Sequence, residues 1–334
     1  MIRLYFRFLF VFLLIIGQNL YLKAQQLPMF SEYLHNAFTL NPALMGWENI
    51  TAAGMSYRQQ WTGMNNAPRT ATLSYQNYDD RYNMGYGAYF MHDKTGPTSF
   101  TGINLAYGYQ LKMDGEKQGL YTRNRLCLGL SLAGQVYTLR GRDLLYNDAD
   151  DEQIINANQS KLLPDAGVGI QYFNDLYYVG AAVPQIISMR VKYKKDSVIS
   201  NLRRAPHYYL SAGAKIPLGD KKNEQFIIPS FWIKFAPMSP LNFTANVRHL
   251  WKYKLLTGVG YSTDGGLLFD ASFNLNKQYR LGYAFSVPVN GLARYLGTNH
   301  ELLFTYIMAS NGKGWFFETV KSSGKKTEKK PIKE

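Results

Sequence analysis

Along most of the chain, apolar and polar residues change places at every step. From Leu126 to Leu132 the even positions are Leu126, Leu128, Leu130 and Leu132, while Cys127, Gly129, Ser131, Ala133 and Gln135 hold the other face. A period of two places each set on one side of a β-strand. Ile103, Leu105, Tyr107, Tyr109 and Leu111 oppose Gly102, Asn104, Ala106, Gly108 and Gln110 in the same way. So do Leu241, Phe243, Ala245 and Val247 against Asn242, Thr244, Asn246 and Arg248, and Tyr279, Leu281, Tyr283, Phe285 and Val287 against Arg280, Gly282, Ala284 and Ser286. Between Leu267 and Asn276 the alternation has one apolar exception, Leu268. Each stretch is about as long as a tilted strand needs to cross a bilayer, roughly 9 to 11 residues.

The pattern predicts strands near 50–60, 68–77, 82–92, 98–112, 122–139, 164–173, 175–183, 205–217, 223–236, 240–251, 253–262, 266–276, 278–288 and 298–308. That is an even number, fourteen, as in single-chain bacterial barrels whose ends share one side. A soluble sandwich also alternates. Strand length, aromatic residues at strand ends and a small hydrophilic second face of Gly, Ser, Asn and Arg favour an all-β, integral outer-membrane antiparallel β-barrel. With a periplasmic N-terminus, the long connections Arg140 to Leu163 and Pro184 to Arg204 both fall outside. The tight turns around Asn174, Lys252 and Asn276 fall inside, although the connection from Asp114 to Tyr121 is long for that side. Both termini are then periplasmic. Arg248, Lys215 and Arg280 are expected in a lumen lined by Gly, Ala and Ser, which is either filled by the N-terminal arm or open.

The ends of the chain break the rhythm. Residues 1–24 read as a signal peptide: Arg3 and Arg7 precede the apolar run Phe8 to Gly17, and Ala24 offers a cleavage position. That run is too short to span a bilayer well. Residues 25–49 read as an arm or plug with a short helix, since Phe30, Tyr33, Leu34, Ala37 and Phe38 have mixed helical spacing before Asn41, Pro42 and Gly46. The barrel covers 50–310. Residues 311–334 form a basic periplasmic tail, expected to be disordered because its composition cannot bury enough surface to order itself.

Aromatic residues make up 15% of the chain, with 26 Tyr and 29 Gly, which suits strands and tight turns. Net charge is +14, but a secreted barrel directs that excess to anionic lipid headgroups, lipopolysaccharide or acidic partners instead of nucleic acid. The single cysteine, Cys127, excludes an intramolecular disulfide.

Candidate chemistry is sparse. His35, His92, His207, His249 and His300 stand apart and show no metal-ligand spacing. No nucleophile elbow or phosphate loop occurs. The acidic run Asp148, Asp150, Asp151 and Glu152 lacks the glycine of an EF-hand loop and reads as a solvated loop face. No cofactor, metal or catalytic group is expected, and the protein is read as a scaffold, not an enzyme.

Several elements taken together resemble the PorP/SprF family of the type IX secretion system. Near the start these are Phe30-Ser-Glu-Tyr33, Asn36, Asn41-Pro42-Ala43, Gly46, Tyr57-Arg58-Gln59-Gln60-Trp61, Gly63 and Ala67-Pro68-Arg69-Thr70. Near the end they are Gly282-Tyr283, Gly291-Leu292 and His300-Glu301-Leu302, so the resemblance brackets the barrel. The chain departs from many outer-membrane barrels by continuing past its last strand through Trp315-Phe316-Phe317. The resemblance implies an outer-membrane component that binds, shuttles or anchors cargo bearing a C-terminal sorting domain at the cell surface. It also implies contact with periplasmic ring and lipoprotein components and, in gliding relatives, display of a surface adhesin. On that basis Phe30, Tyr33, Asn41, Pro42, Arg58, Gln59, Gln60, Trp61 and Arg69 are candidate contacts with partner or cargo. For Arg58, Gln59 and Trp61 the plainer alternative is a strand end at the membrane interface. The rival function is a passive porin or hydrophobic-solute transporter.

Overall fold

A computed structural model describes residues 37–113, 124–143, 158–187, 190–195, 198–203, 205–219, 224–237, 239–264, 266–289 and 293–310. Its strands are β1 (Ile50–Gln59), β2 (Arg69–Asp79), β3 (Met84–Thr95), β4 (Thr98–Lys112), β5 (Arg125–Arg140), β6 (Asn158–Phe173), β7 (Tyr177–Gln185), β8 (Arg190–Lys195), β9 (Val198–Arg203), β10 (His207–Ala214), β11 (Ile216–Pro217), β12 (Gln225–Phe235), β13 (Asn242–Trp251), β14 (Leu255–Ser262), β15 (Gly266–Asn274), β16 (Tyr279–Val287) and β17 (Asn299–Ser310). Strands β1 to β7 pair in sequence order, β10 joins β7 to β12, and β12 to β17 run back to β1. All these pairings are antiparallel, and β11 continues β10 beyond Lys215. The result is a closed barrel of fourteen strands. Closure removes the unpaired edges that lipid could not satisfy.

We call the end where β1 begins and β17 finishes the near end, and the opposite rim the far end. The turns around Asn174, Lys252 and Asn276 lie at the near end and the two long connections at the far end. Asn174 caps its turn by accepting from the amides of Leu176 and Tyr177, and Asn276 does the same for Gln278 and Tyr279. Lys252 and Tyr253 take φ of 50° and 51°, as a two-residue hairpin turn requires.

Two features differ from the expectation. β6 begins at Asn158 because Asn158–Leu163 pairs with Gln135–Arg140 beyond the last β6–β7 pairing, Val168 with Val183. Exposed polar residues such as Ser160 and Lys161 leave no membrane-type alternation there to read. The far-end connection after β7, expected to be a loop, contains the separate hairpin of β8 and β9. Residues 1–24, read as a signal peptide, residues 311–334, read as a tail, and the Asp148 to Glu152 run lie outside the described residues.

The two faces sort as the alternation requires. On β4 and β5, Ile103, Leu105, Leu128, Leu130 and Leu132 are exposed on the outside, whereas Asn104, Cys127, Ser131 and Gln135 are buried inside. An arginine at Leu130, which is 60% exposed and central in β5, should cost about 2–4 kcal/mol in a bilayer, while Ser131→Ala should cost far less. Unfolding of the two variants in lipid vesicles checks the difference.

Candidate functional site

The lumen has two halves of opposite character. Its near half is filled by the chain itself. Residues 37–49 lie inside the barrel before β1 starts, with Ala37, Phe38, Leu40, Asn41, Ala43, Leu44, Met45, Trp47 and Glu48 all buried. Two 3₁₀ turns, Ala37–Thr39 and Pro42–Leu44, give this plug its shape.

The Asn-Pro-Ala-Leu-Met-Gly stretch explains that shape locally. Asn41 caps the second turn, its Oδ1 accepting from Ala43 N at 3.0 Å, and Pro42 occupies the first position, where no N–H is needed. Asn41 Nδ2 donates to Gln171 Oε1 at 3.2 Å and to Ile170 O at 3.3 Å, fastening the turn to β6. Gly46 has φ of +78°, and a Cβ there would stand 2.7 Å from Gly85 Cα, so no other residue fits this bend. Gln110 Nε2 on β4 donates to Gly46 O at 3.0 Å.

The wall is shaped to receive it. Gly85 pairs with Gly108, Gly108 with Gly129 and Gly129 with Gly169, so four inward glycines form one transverse row across β3 to β6. Side chains on this row would overlap the plug: at Gly129 the backbone of Pro42 and Ala43, at Gly85 that of Met45 and Gly46, and at Gly169 the Asn41 amide. Around the row, Trp47 packs edge-on against Phe173 and Tyr178, and Phe38 meets Tyr89. Asn41→Ala should loosen the plug by about 1–2 kcal/mol, the worth of a cap and its side-chain hydrogen bonds. Chymotrypsin should then cut within Phe38–Leu44 at lower denaturant than in the parent protein.

Charged groups line other parts of the wall. Arg248, Lys215 and Arg280 all point inward and are buried. Arg248 Nε meets Asp270 Oδ2 at 2.9 Å across Gly258, whose missing side chain leaves space for the bridge. Lys215 Nζ lies over the rings of Phe226 and Tyr253 at 4.5 and 4.7 Å. The row that holds Arg248 and Asp270 continues through Ala284, Glu301, Arg58 and Thr70 to Asp93, and Thr70 Oγ1 donates to Asp93 at 2.6 Å.

The candidate contact residues divide accordingly. Asn41 and Pro42 lie within the plug, and Phe30 and Tyr33 lie outside the described residues. Arg58 faces the far half of the lumen, 7% exposed. Gln59, Gln60, Trp61 and Arg69 reach the far rim, where Gln60 N donates to Pro68 O and Trp61 N to Asn299 Oδ1. Here the first and last motifs meet: Tyr57, Arg58 and Gln59 pair in register with Leu302, Glu301 and His300. Loops continue the seam, with Thr62 N donating to Thr298 O and Gly63 N to Leu296 O. The glycine row is not legible as a site along the chain, where its signal is Gly at inward positions of four successive strands.

Among the described residues no cluster of His, Cys, Asp or Glu has the makings of a metal site. His92 contacts Thr101 at 2.7 Å and His300 contacts Tyr283 at 2.7 Å on the outer face, so both serve cross-strand pairs.

Solved structures of similar fold include transporters and porins. The toluene transporter TbuX of Ralstonia pickettii is 10% identical, with 81% of this chain and 93% of that one covered and a TM-score of 0.51. The toluene transporter TodX of P. putida is 10% identical over 85% and 95%, at 0.46, and a KdgM porin is 9% identical over 76% and 98%, at 0.37. At such identities the likeness concerns the fold alone. No curated protein matches the chain. The family described as "Type IX secretion system membrane protein PorP/SprF" matches residues 22–306, from before the plug to within the last strand. This outer-membrane barrel therefore belongs to the PorP/SprF family of the type IX secretion system.

Proposed function

We propose that the protein binds, shuttles or anchors sorting-domain cargo at the cell surface as an outer-membrane component of type IX secretion, without catalysing a reaction. The observation that supports this most is the family match across plug and barrel together. The plug supports it further, because Met45, Trp47, Phe173 and Tyr178 pack the near half, the space a passive porin would need for an aqueous path. In this reading the near-end turns meet periplasmic ring and lipoprotein components. The far rim around Gln59, Gln60, Trp61 and Arg69 meets cargo, on a seam stiffened by the Thr62–Thr298 contacts.

Deleting the gene should remove a specific sorting-domain protein from the cell surface, as read by surface proteomics. Altered uptake of small solutes with every such cargo still in place would replace this reading with the transporter alternative.

A further inference from the structure

The direction in which the plug enters the barrel carries a consequence for the residues before it. Along β3 the inward positions from near to far end are Gly85, Gly87, Tyr89, Met91 and Asp93. Gly46 and Met45 sit at Gly85, whereas Phe38 sits higher, at Tyr89. Followed backwards, the chain therefore climbs from the near end toward the far end. At Ala37, 2% exposed, it is still inside.

The wall it climbs toward is polar and only partly satisfied. Arg58, Gln185, Tyr209 and Asn242 are at most 7% exposed. Yet Arg58 Nε and Nη1, Gln185 Oε1, the Tyr209 hydroxyl and Asn242 Oδ1 have no hydrogen-bond partner among the described residues. Buried polar groups of this kind are normally paired with protein or held water. Polypeptide can supply both donors and acceptors from its backbone.

We infer that the far half of the lumen is the docking surface for the chain's own segment from Gln25 to Asn36, which passes up through it and brings the start of the mature chain to the far rim. Length permits this. From Tyr89 to Thr95 the strand rises about 20 Å, and the twelve residues from Gln25 to Asn36 span up to about 40 Å when extended. Composition fits as well: Gln25, Gln26, Ser31, Glu32, Tyr33, His35 and Asn36 are polar, as is a wall that holds Arg58 and Lys234 together with Asp93 and Glu301. Both termini on the near side, the simplest expectation for an even-stranded barrel, would then hold for the C-terminal end alone.

Two measurements on the full-length protein in its membrane test this. A photoreactive benzoylphenylalanine at Tyr33 should cross-link within the same chain to peptides carrying Gln185, Lys234 or Asn242. Cross-links to the near-end turns, to another protein, or none at all, as a water-filled upper lumen would give, overturn the inference. Independently, a flexible epitope inserted after Gln26 should be reachable from the same side as an epitope inserted after Asn65 at the far end. Reactivity from the side of an epitope inserted after Lys277, at the near end, overturns it. Neither readout depends on cargo, so the inference can fail while the secretion role stands.

Discussion

Replacing Gly129 by valine is expected to turn a silent barrel into a conducting one. The Gly129 Cβ position overlaps the backbone of Pro42 and Ala43, and neither partner is the far end of a flexible side chain that can swing away. The wall on either side of Gly129 is fixed by pairing to Gly108 and Gly169. Overpacking a filled core typically costs about 1–3 kcal/mol, and a clash with backbone belongs at the top of that range. A loss of about 3 kcal/mol lowers the equilibrium constant for seating the plug roughly a hundredfold. The strand ladder is untouched, so the variant should keep the heat-modifiable migration of a folded barrel in detergent gels. Planar-bilayer recordings should show no steady current for the parent and open steps for the variant. A valine variant that folds and stays silent would mean that something other than this seat shuts the lumen. Glycine to alanine at the same position should give an intermediate effect.

Breaking the Arg248–Asp270 pair gives the second large effect. Both side chains are almost wholly buried, at 1% and 3%, and Arg248 Nη1 also reaches Ser230 Oγ at 3.4 Å. Removing one member strands the other charge inside the wall, which costs about 3–5 kcal/mol. Arg248→Met and Asp270→Leu should therefore each lower the urea midpoint in detergent or lipid substantially. The double substitution should recover most of the loss, since a buried pair traded for apolar groups of similar size is often neutral. Added salt should change these differences little, because a buried pair is poorly screened. If the double variant is as unstable as the sum of the singles, the two residues act independently and the bridge is not what stabilises this sector.

Both effects depend on glycine for the same steric reason. In β3 to β6 the inward glycines make space for another segment's backbone, and in β14 Gly258 makes space for two neighbouring strands' side chains to join over it. At these positions the wall gives up its own side chains, and the plug and the bridge occupy the space.

Strand positions in the barrel wall, their number, the face that meets lipid and the inward course of Arg248, Lys215 and Arg280 are all legible along the chain. They follow from a two-residue period and from turn chemistry at Asn174, Lys252 and Asn276, which are local properties. Motifs around Asn41 and Arg58 are legible too, but as motifs and not as places. It takes the closed fold to set Asn41 and Pro42 within the barrel, to align Gly85, Gly108, Gly129 and Gly169, and to pair Arg58 in register with Glu301 from the opposite end of the chain. Register between strands is set by the closure of the whole barrel, and no local pattern encodes it. The separation of a packed near half from a polar far half arises in the same way, from which inward residues the ring brings to one level.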